Sequence, residues 1–260
     1  MDFMKPETVL DLDNIRQALQ RMEDSIIFNF IERSQFYTCP SVYKADVFPI
    51  PNFKGSFLDW LLSQHEAIQS QVRRYEAPDE YPFFPDALLP TFLPKINYPP
   101  ILASYANDIN INNTIKKIYI ETIVPGVSIG DADQMVNLGS TAMTDIDALQ
   151  SLSRRIHFGM FVAEAKFRSE RERFTKLIRE NDVKGIEDAI TNKVVEDKIL
   201  LRLLEKGKAY GVDPTLKFTQ HIEGKVKPEV IVNIYRDYVI PLTKKVEVDY
   251  LLRRLDVEDP

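Results

Sequence analysis

The sequence predicts an all-α protein, and three observations carry that prediction. Long stretches repeat apolar residues at helical spacing, no segment of real length alternates with period two, and the breaks hold the caps, prolines and glycines that start and stop helices. With 260 residues, 44% hydrophobic and 28% charged, the chain can bury a sizeable core, and it reads as one domain over residues 1–260.

The first strong helix is DNIRQALQRMEDSIIFNFIERS, where Ile15, Leu19, Met22, Ile26 and Phe30 recur on one face and aspartates stand ahead as caps. A second is expected from Ser56 to Ala77, with Pro78 helping to stop it. Residues 78–100 hold seven prolines among aromatics, too apolar for a free linker, so an ordered loop packed on the core is predicted. A further helix covers about Asn112 to Ser128. The loop GDADQMVNLGS follows, ending in Ser140 as the cap of a long helix from about Thr141 to Glu172. Shorter helices are expected in RFTKLIREND, KGIEDAIT and NKVVEDKILLRLLEKGKAYG, then a loop at 211–229 and a last helix from Pro228 to about Leu255. The whole reads as a bundle-like domain of about a dozen helices.

One internal echo stands out. KIYIETIVP (residues 117–125) resembles NIYRDYVIP (residues 233–241), and each proline sits late in a helical pattern, where it should kink or open the helix. Chance likeness between amphipathic helices and an old duplication both account for it.

Composition excludes several functions. A net charge of −6 argues against a general binder of nucleic acid or anionic membranes, so an anionic ligand needs a local reversal of sign. Cys39 stands alone and reads as a reduced thiol of a cytoplasmic protein. His65, His157 and His221 form no triad or zinc spacing, so no metal or cofactor is expected. The start, MDFMKPETVLDLDN, is unlike a signal or transit peptide, and no apolar run approaches the length of a membrane span.

The stretch SLSRRIHFGMFVAEAKF, residues 151–167, carries the chemical signal. Arg155 and Lys166 lie eleven residues apart, close to three helical turns, so they share a face roughly 16 Å apart along the axis. Gly159, Val162 and Ala163 lie between them as a shallow floor. Asn192 and Glu196, and Thr243 and Glu247, are four apart, and each pair is expected on one helix face. Arg16 flanks an apolar stripe. Each of these alone fits a solvated face, but Arg155 is harder to dismiss because Ile156, Phe158, Phe161 and Val162 make its helix apolar on most sides. Together, three cations, an amide, a hydroxyl and two carboxyls suit a compact dianion bearing a hydroxyl group. Arginine suits bidentate carboxylate anchoring, and lysine is the better point charge. Nothing supplies an activated nucleophile, a metal cage or a glycine-rich phosphate loop.

These blocks also carry a resemblance. In KPETVLDLDNIR, MEDSIIFNFIERS, NFKGSFLDW, LQSLSRRIHFGMFVAEAKF and KVEVDYLLRRL, essentially its whole length, the chain resembles the fungal, yeast-type chorismate mutases, all-helical allosteric enzymes of the AroQ class. The resemblance implies conversion of chorismate to prephenate, toward phenylalanine and tyrosine. It implies that Arg16 and Arg155 hold the two carboxylates with help from Thr243. Lys166 and Glu247 would face the ether oxygen, and Asn192 and Glu196 the ring hydroxyl. It also implies a homodimer with an effector site where tyrosine inhibits and tryptophan activates, at Arg73, Arg74, Asn137, Gly139 and Ser140. Met143, with Thr144 beside it, stands where the family has a threonine in that site, and Lys227 where a threonine takes part in switching. A non-catalytic sensor of aromatic amino acids is the alternative. The joint presence of Arg16, Arg155, Lys166, Glu196, Thr243 and Glu247 argues against it. A helical interaction scaffold built on the proline-rich loop is a third reading, and the packed aromatics expected there argue against it.

Overall fold

In the computed structural model, which describes residues 1–210 and 226–259, every regular element is helical. Most of the loop expected at 211–229, with His221, lies outside the described residues. A short α1 (Pro6–Val9) leads into α2 (Leu12–Arg33), whose start is capped as predicted: the Asp11 carboxylate accepts from the N–H groups of Asp13 and Asn14. Helix α3 (Phe57–Gln71) opens on Ser56, whose hydroxyl accepts from the N–H of Asp59. It ends before the expected Ala77, because Arg73 turns left-handed at φ 72° and residues 74–76 form a single 3₁₀ turn. No glycine marks that stop, so the sequence carried no sign of it.

The proline-rich loop packs only in part. Tyr81 and Phe83 are buried, and the N–H groups of Phe83 and Phe84 donate to the two oxygens of buried Glu66 on α3. Phe92, further along, is 79% exposed.

The two echo segments have the same irregular backbone. Helix α4 (Asn112–Ile118) passes through a π turn at Tyr119–Ile123 into α5 (Val124–Val127). Later, α11 (Pro228–Ile234) passes through a π turn at Tyr235–Val239 into α12 (Ile240–Leu252). In each case the wider turn sits just before the proline, where the ring would otherwise collide with a carbonyl of the preceding turn. The offset of 116 residues from Tyr119 to Tyr235 is also that from Pro125 to Pro241. This shared distortion favours duplication over chance.

The single helix expected from Thr141 to Glu172 is three: α6 (Leu138–His157), α7 (Gly159–Ser169) and α8 (Arg171–Arg179). Phe158 interrupts the first pair and Glu170 the second. Ser140 is not a cap, since α6 begins at Leu138 and Ser140 lies in its first turn. The C-terminal half is completed by α9 (Val183–Ile190) and α10 (Lys193–Tyr210). Helix α2 packs along α6, α12 packs on α7, α6 and α9, and α10 on α11 and α2. One core runs through most of these helices, and a smaller one, including Val9, Ile15, Phe158 and Phe161, seals the junction of α6 and α7 against the N-terminal segment.

Two of the residues weighed for chemistry are structural. Cys39 is a fully buried free thiol. His157 is buried, accepts from the N–H of Ile111 through Nε2 and lies 2.8 Å from the Ser153 carbonyl through Nδ1, and burial pushes its pKa down to about 4. Among the described residues no helix is long and apolar enough to cross a membrane.

Candidate active site

A cleft of about 330 Å³ opens where α2, α7, α10 and α12 meet near the end of α6. Arg16, Arg155, Lys166, Asn192, Glu196, Thr243 and Glu247 all line it. Seven residues spread over most of the chain therefore share one space.

Arg155 is buried near the end of α6, and its Nη1 donates to Thr243 Oγ1 at 3.3 Å. Thr243 Oγ1 itself donates to the Val239 carbonyl at 2.7 Å, so its lone pairs are left for the guanidinium. Among the described residues Arg155 Nε has no partner, and neither does the hydroxyl of fully buried Tyr235. The echo shows what such a pair can hold. In the first half, Arg33 Nε and the Tyr119 hydroxyl both donate to one oxygen of buried Asp145, at 2.6 and 2.7 Å, and Arg33 Nη1 donates to Ser128. Asp145 lies ten residues before Arg155 on α6, and Glu23 ten before Arg33 on α2, so the acid expected to neutralise Arg155 is Glu23. Glu23 is held elsewhere, by Arg202 at 2.6 and 2.8 Å and by Lys206 at 3.3 Å. Half one fills its arginine with a carboxylate of the chain; half two leaves its arginine open.

Lys166 and Glu247 form the other side. Lys166 Nζ donates to the Ile190 carbonyl at the end of α9, which fixes the ammonium in place, and burial lowers its pKa. Glu247 is buried, and among the described residues its Oε2 has no partner. Burial pushes its pKa up to about 7, against the opposing pull of Lys166, Arg155 and Lys244. A neutral carboxyl and a lysine thus face one space.

Gly159 makes this possible. A Cβ there would lie 2.9 Å from the Thr243 methyl, 3.0 Å from its carbonyl oxygen and 3.2 Å from Glu247 Cγ. The floor is accordingly not the one expected. Gly159 lies under α12 and Ala163 is wholly buried, so of that trio only Val162 reaches the cleft, joined by Ile15, Leu19, Ile199 and Ile240.

Three other placements differ from expectation. Asn192 precedes α10 and does not share a helix face with Glu196; its Oδ1 accepts from the N–H of Val195 as a cap. Arg16 is at the exposed rim, paired with Asp13 at 2.6 Å. Lys244 was missed: it follows Thr243, lines the cleft and meets Glu196 at 2.6 Å. Its adjacency to Thr243 is the available sign, and the ion pair itself joins helices far apart in sequence.

The expected effector residues do not converge within one chain. Arg73 donates to the Pro94 carbonyl, and Arg74 to Glu80 and to Gln150 on α6. Asn137, Gly139, Ser140, Met143 and Thr144 sit toward the other end of α6, about 9–20 Å along the axis from Gln150 at 1.5 Å per residue. Thr144 already spends its hydroxyl on the Thr141 carbonyl. Lys227 is the N-cap residue of α11, without a side-chain cap.

The chain is similar to known proteins along its length. The family described as chorismate mutase type II matches residues 138–248. The chorismate mutase of Pichia angusta is 73% identical over 259 residues, covering 100% of this chain and 92% of its own. The chain belongs to the chorismate mutase family. In structure it is similar to the Aro7p chorismate mutase of Candida albicans in complex with L-Trp, with a TM-score of 0.97, 62% identity and 100% and 97% of the two chains covered. It is also similar to AtCM1 with tyrosine bound in the allosteric site, with a TM-score of 0.84, 39% identity and 94% and 96% covered. The chorismate mutase likeness thus extends over both halves, well beyond the matched 138–248 segment.

Proposed function

We propose that the cleft binds chorismate and catalyses its intramolecular [3,3] rearrangement to prephenate. The observation that carries this is the buried Glu247 carboxyl, unpartnered among the described residues and pushed by burial up to a pKa of about 7, facing the same space as Lys166 and an open Arg155. Chorismate is a dianion with a ring hydroxyl and an enolpyruvyl ether. Arg155 takes one carboxylate through its free Nε with Thr243 alongside, and Arg16 leaves Asp13 for the other. No base or covalent intermediate is needed, because all bond changes occur in one molecule. The protein compacts the substrate into its reactive chair, which removes much of the entropic part of the activation barrier. The C–O bond breaks ahead of C–C formation, so negative charge grows on the ether oxygen. Lys166 Nζ and the Glu247 O–H donate to that oxygen, each such donor being worth about 3 kcal/mol in the transition state. Glu196 and Asn192 address the ring hydroxyl. Purified protein incubated with chorismate should yield prephenate without any cofactor; absence of conversion overturns the assignment.

We further infer that tyrosine and tryptophan act as effectors and that the enzyme works as a homodimer. Arg73 and Arg74 are remote from the start of α6 within one chain, so a site using both draws on two copies. Both faces expose apolar side chains suited to such contact: Ile68, Val72 and Phe92 near the arginines, Met135, Val136 and Met143 near α6. The tryptophan in the Candida albicans complex and the tyrosine in AtCM1 support the ligand class. Analytical ultracentrifugation with and without each amino acid tests the dimer, and a monomer active and responsive to both refutes it.

A further inference from the structure

We propose that Lys244 is a positioning residue for the rearrangement, fixing Glu196 as the acceptor that recognises the ring hydroxyl of the substrate. This rests on the assignment of the cleft to chorismate. Lys244 Nζ lies 2.6 Å from Glu196 Oε1, and both side chains line the cleft, 23% and 16% exposed. The pair joins the first turn of α10, which packs on α11, to α12, which packs on α9. Among the described residues it is the one ion pair that Glu196 makes.

The two carboxyls of the cleft are thereby given opposite tasks. Glu247 sits in an unpartnered, buried setting that keeps a proton on it, so it donates. Glu196 meets the Lys244 ammonium, and a carboxylate in such a pair is acceptor-only. A substrate hydroxyl must donate to something, and Glu196 is the acceptor whose direction the ion pair fixes. Without Lys244 the Glu196 side chain has its rotamers restored and its charge unbalanced beside Glu247. The groups facing Glu247 are Arg155 from α6, Lys166 from α7, Lys244 on its own helix and Glu196 from α10. Removing Lys244 therefore deletes one cation and frees one anion, and both changes raise the Glu247 pKa.

The test compares wild type, Lys244→Met, Lys244→Arg, Glu196→Gln and the double variant Lys244→Met/Glu196→Gln. Each is assayed on chorismate and on its analogue lacking the ring hydroxyl, with far-UV circular dichroism to establish folding. A hydrogen bond to a charged group corresponds to about a 10- to 100-fold preference for the hydroxyl-bearing substrate in wild type. That preference should collapse in both single variants, fall no further in the double, and return in part with Lys244→Arg. The alkaline limb of kcat should move upward in Lys244→Met, a change that a purely structural role would not cause. Retention of the full hydroxyl preference in folded Lys244→Met, or losses that multiply in the double variant, overturns the inference and assigns Lys244 to direct anion binding. A wild type that does not convert chorismate overturns the cleft assignment itself and this inference with it.

Discussion

Replacing Glu247 by glutamine separates hydrogen bonding from titration at one atom. Raising a carboxyl from its ordinary 4.5 to about 7 disfavours the ionised form by about 3 kcal/mol. Wild-type kcat should then hold steady below about pH 7 and fall about tenfold per unit above it, as the donor to the ether oxygen is lost. Glutamine keeps an N–H donor that does not titrate, so the variant should lose some rate near pH 6 yet run flat into the alkaline range. Stability gives an independent reading with a definite sign. Because the folded pKa is raised, this carboxyl contributes stability below about 4.5 that is lost as pH climbs through about 7. Glu247→Gln should therefore gain on wild type by up to about 3 kcal/mol as pH rises across that window, seen in thermal melts at a series of pH values. Initial rates of prephenate formation between about pH 5 and 9 complete the assay. An alkaline limb unchanged in the variant would show that another group sets the acid requirement.

Five further outcomes are expected. Arg155→Ala should lower kcat/KM by about 100- to 1,000-fold with the fold intact by circular dichroism, and Arg155→Lys should recover only part, since a point charge lacks the guanidinium fork. Gly159→Ala should cost about 1–3 kcal/mol in urea unfolding and lower kcat as well, because its Cβ forces α12, with Thr243 and Glu247, away from α7. Asp145→Ala should cost about 3–5 kcal/mol in the same assay, because it leaves Arg33 charged and buried without its carboxylate. Arg73→Ala with Arg74→Ala should abolish both amino-acid responses while basal rearrangement stays largely intact, and Met143→Thr should sharpen tyrosine sensitivity measured by titration against activity.

The helices were legible because helical periodicity and caps are local. Asp11 and Ser56 sit where a first turn needs acceptors, and both serve as such. The ends were less legible: the left-handed Arg73 and the break at Phe158 involve residues with no intrinsic preference for stopping a helix, so tertiary packing decides them. Prolines 125 and 241 did announce a distortion, and its form, a π turn, follows from how the ring is accommodated within a continuing helix. The cleft residues were legible as types, and the four-residue spacing held for Thr243 and Glu247 but not for Asn192 and Glu196. Their states were not, because the unpartnered Glu247, the open Arg155 and the diverted Glu23 depend on contacts between helices far apart in sequence. Lys244 shows the limit of a face-by-face reading, since its long side chain reaches a carboxylate on another helix.

The central claim is a placement of atoms, and a crystal structure with a rigid bicyclic ether dicarboxylate, shaped like the chair of the rearrangement, tests it most directly. One carboxylate should lie on Arg155 beside Thr243 and the second on Arg16. The ether oxygen should lie within hydrogen-bond distance of both Lys166 Nζ and Glu247 Oε2, and the hydroxyl on Glu196. A ligand bound in this cleft with its ether oxygen turned away from Lys166 and Glu247, or bound outside the cleft, would contradict it.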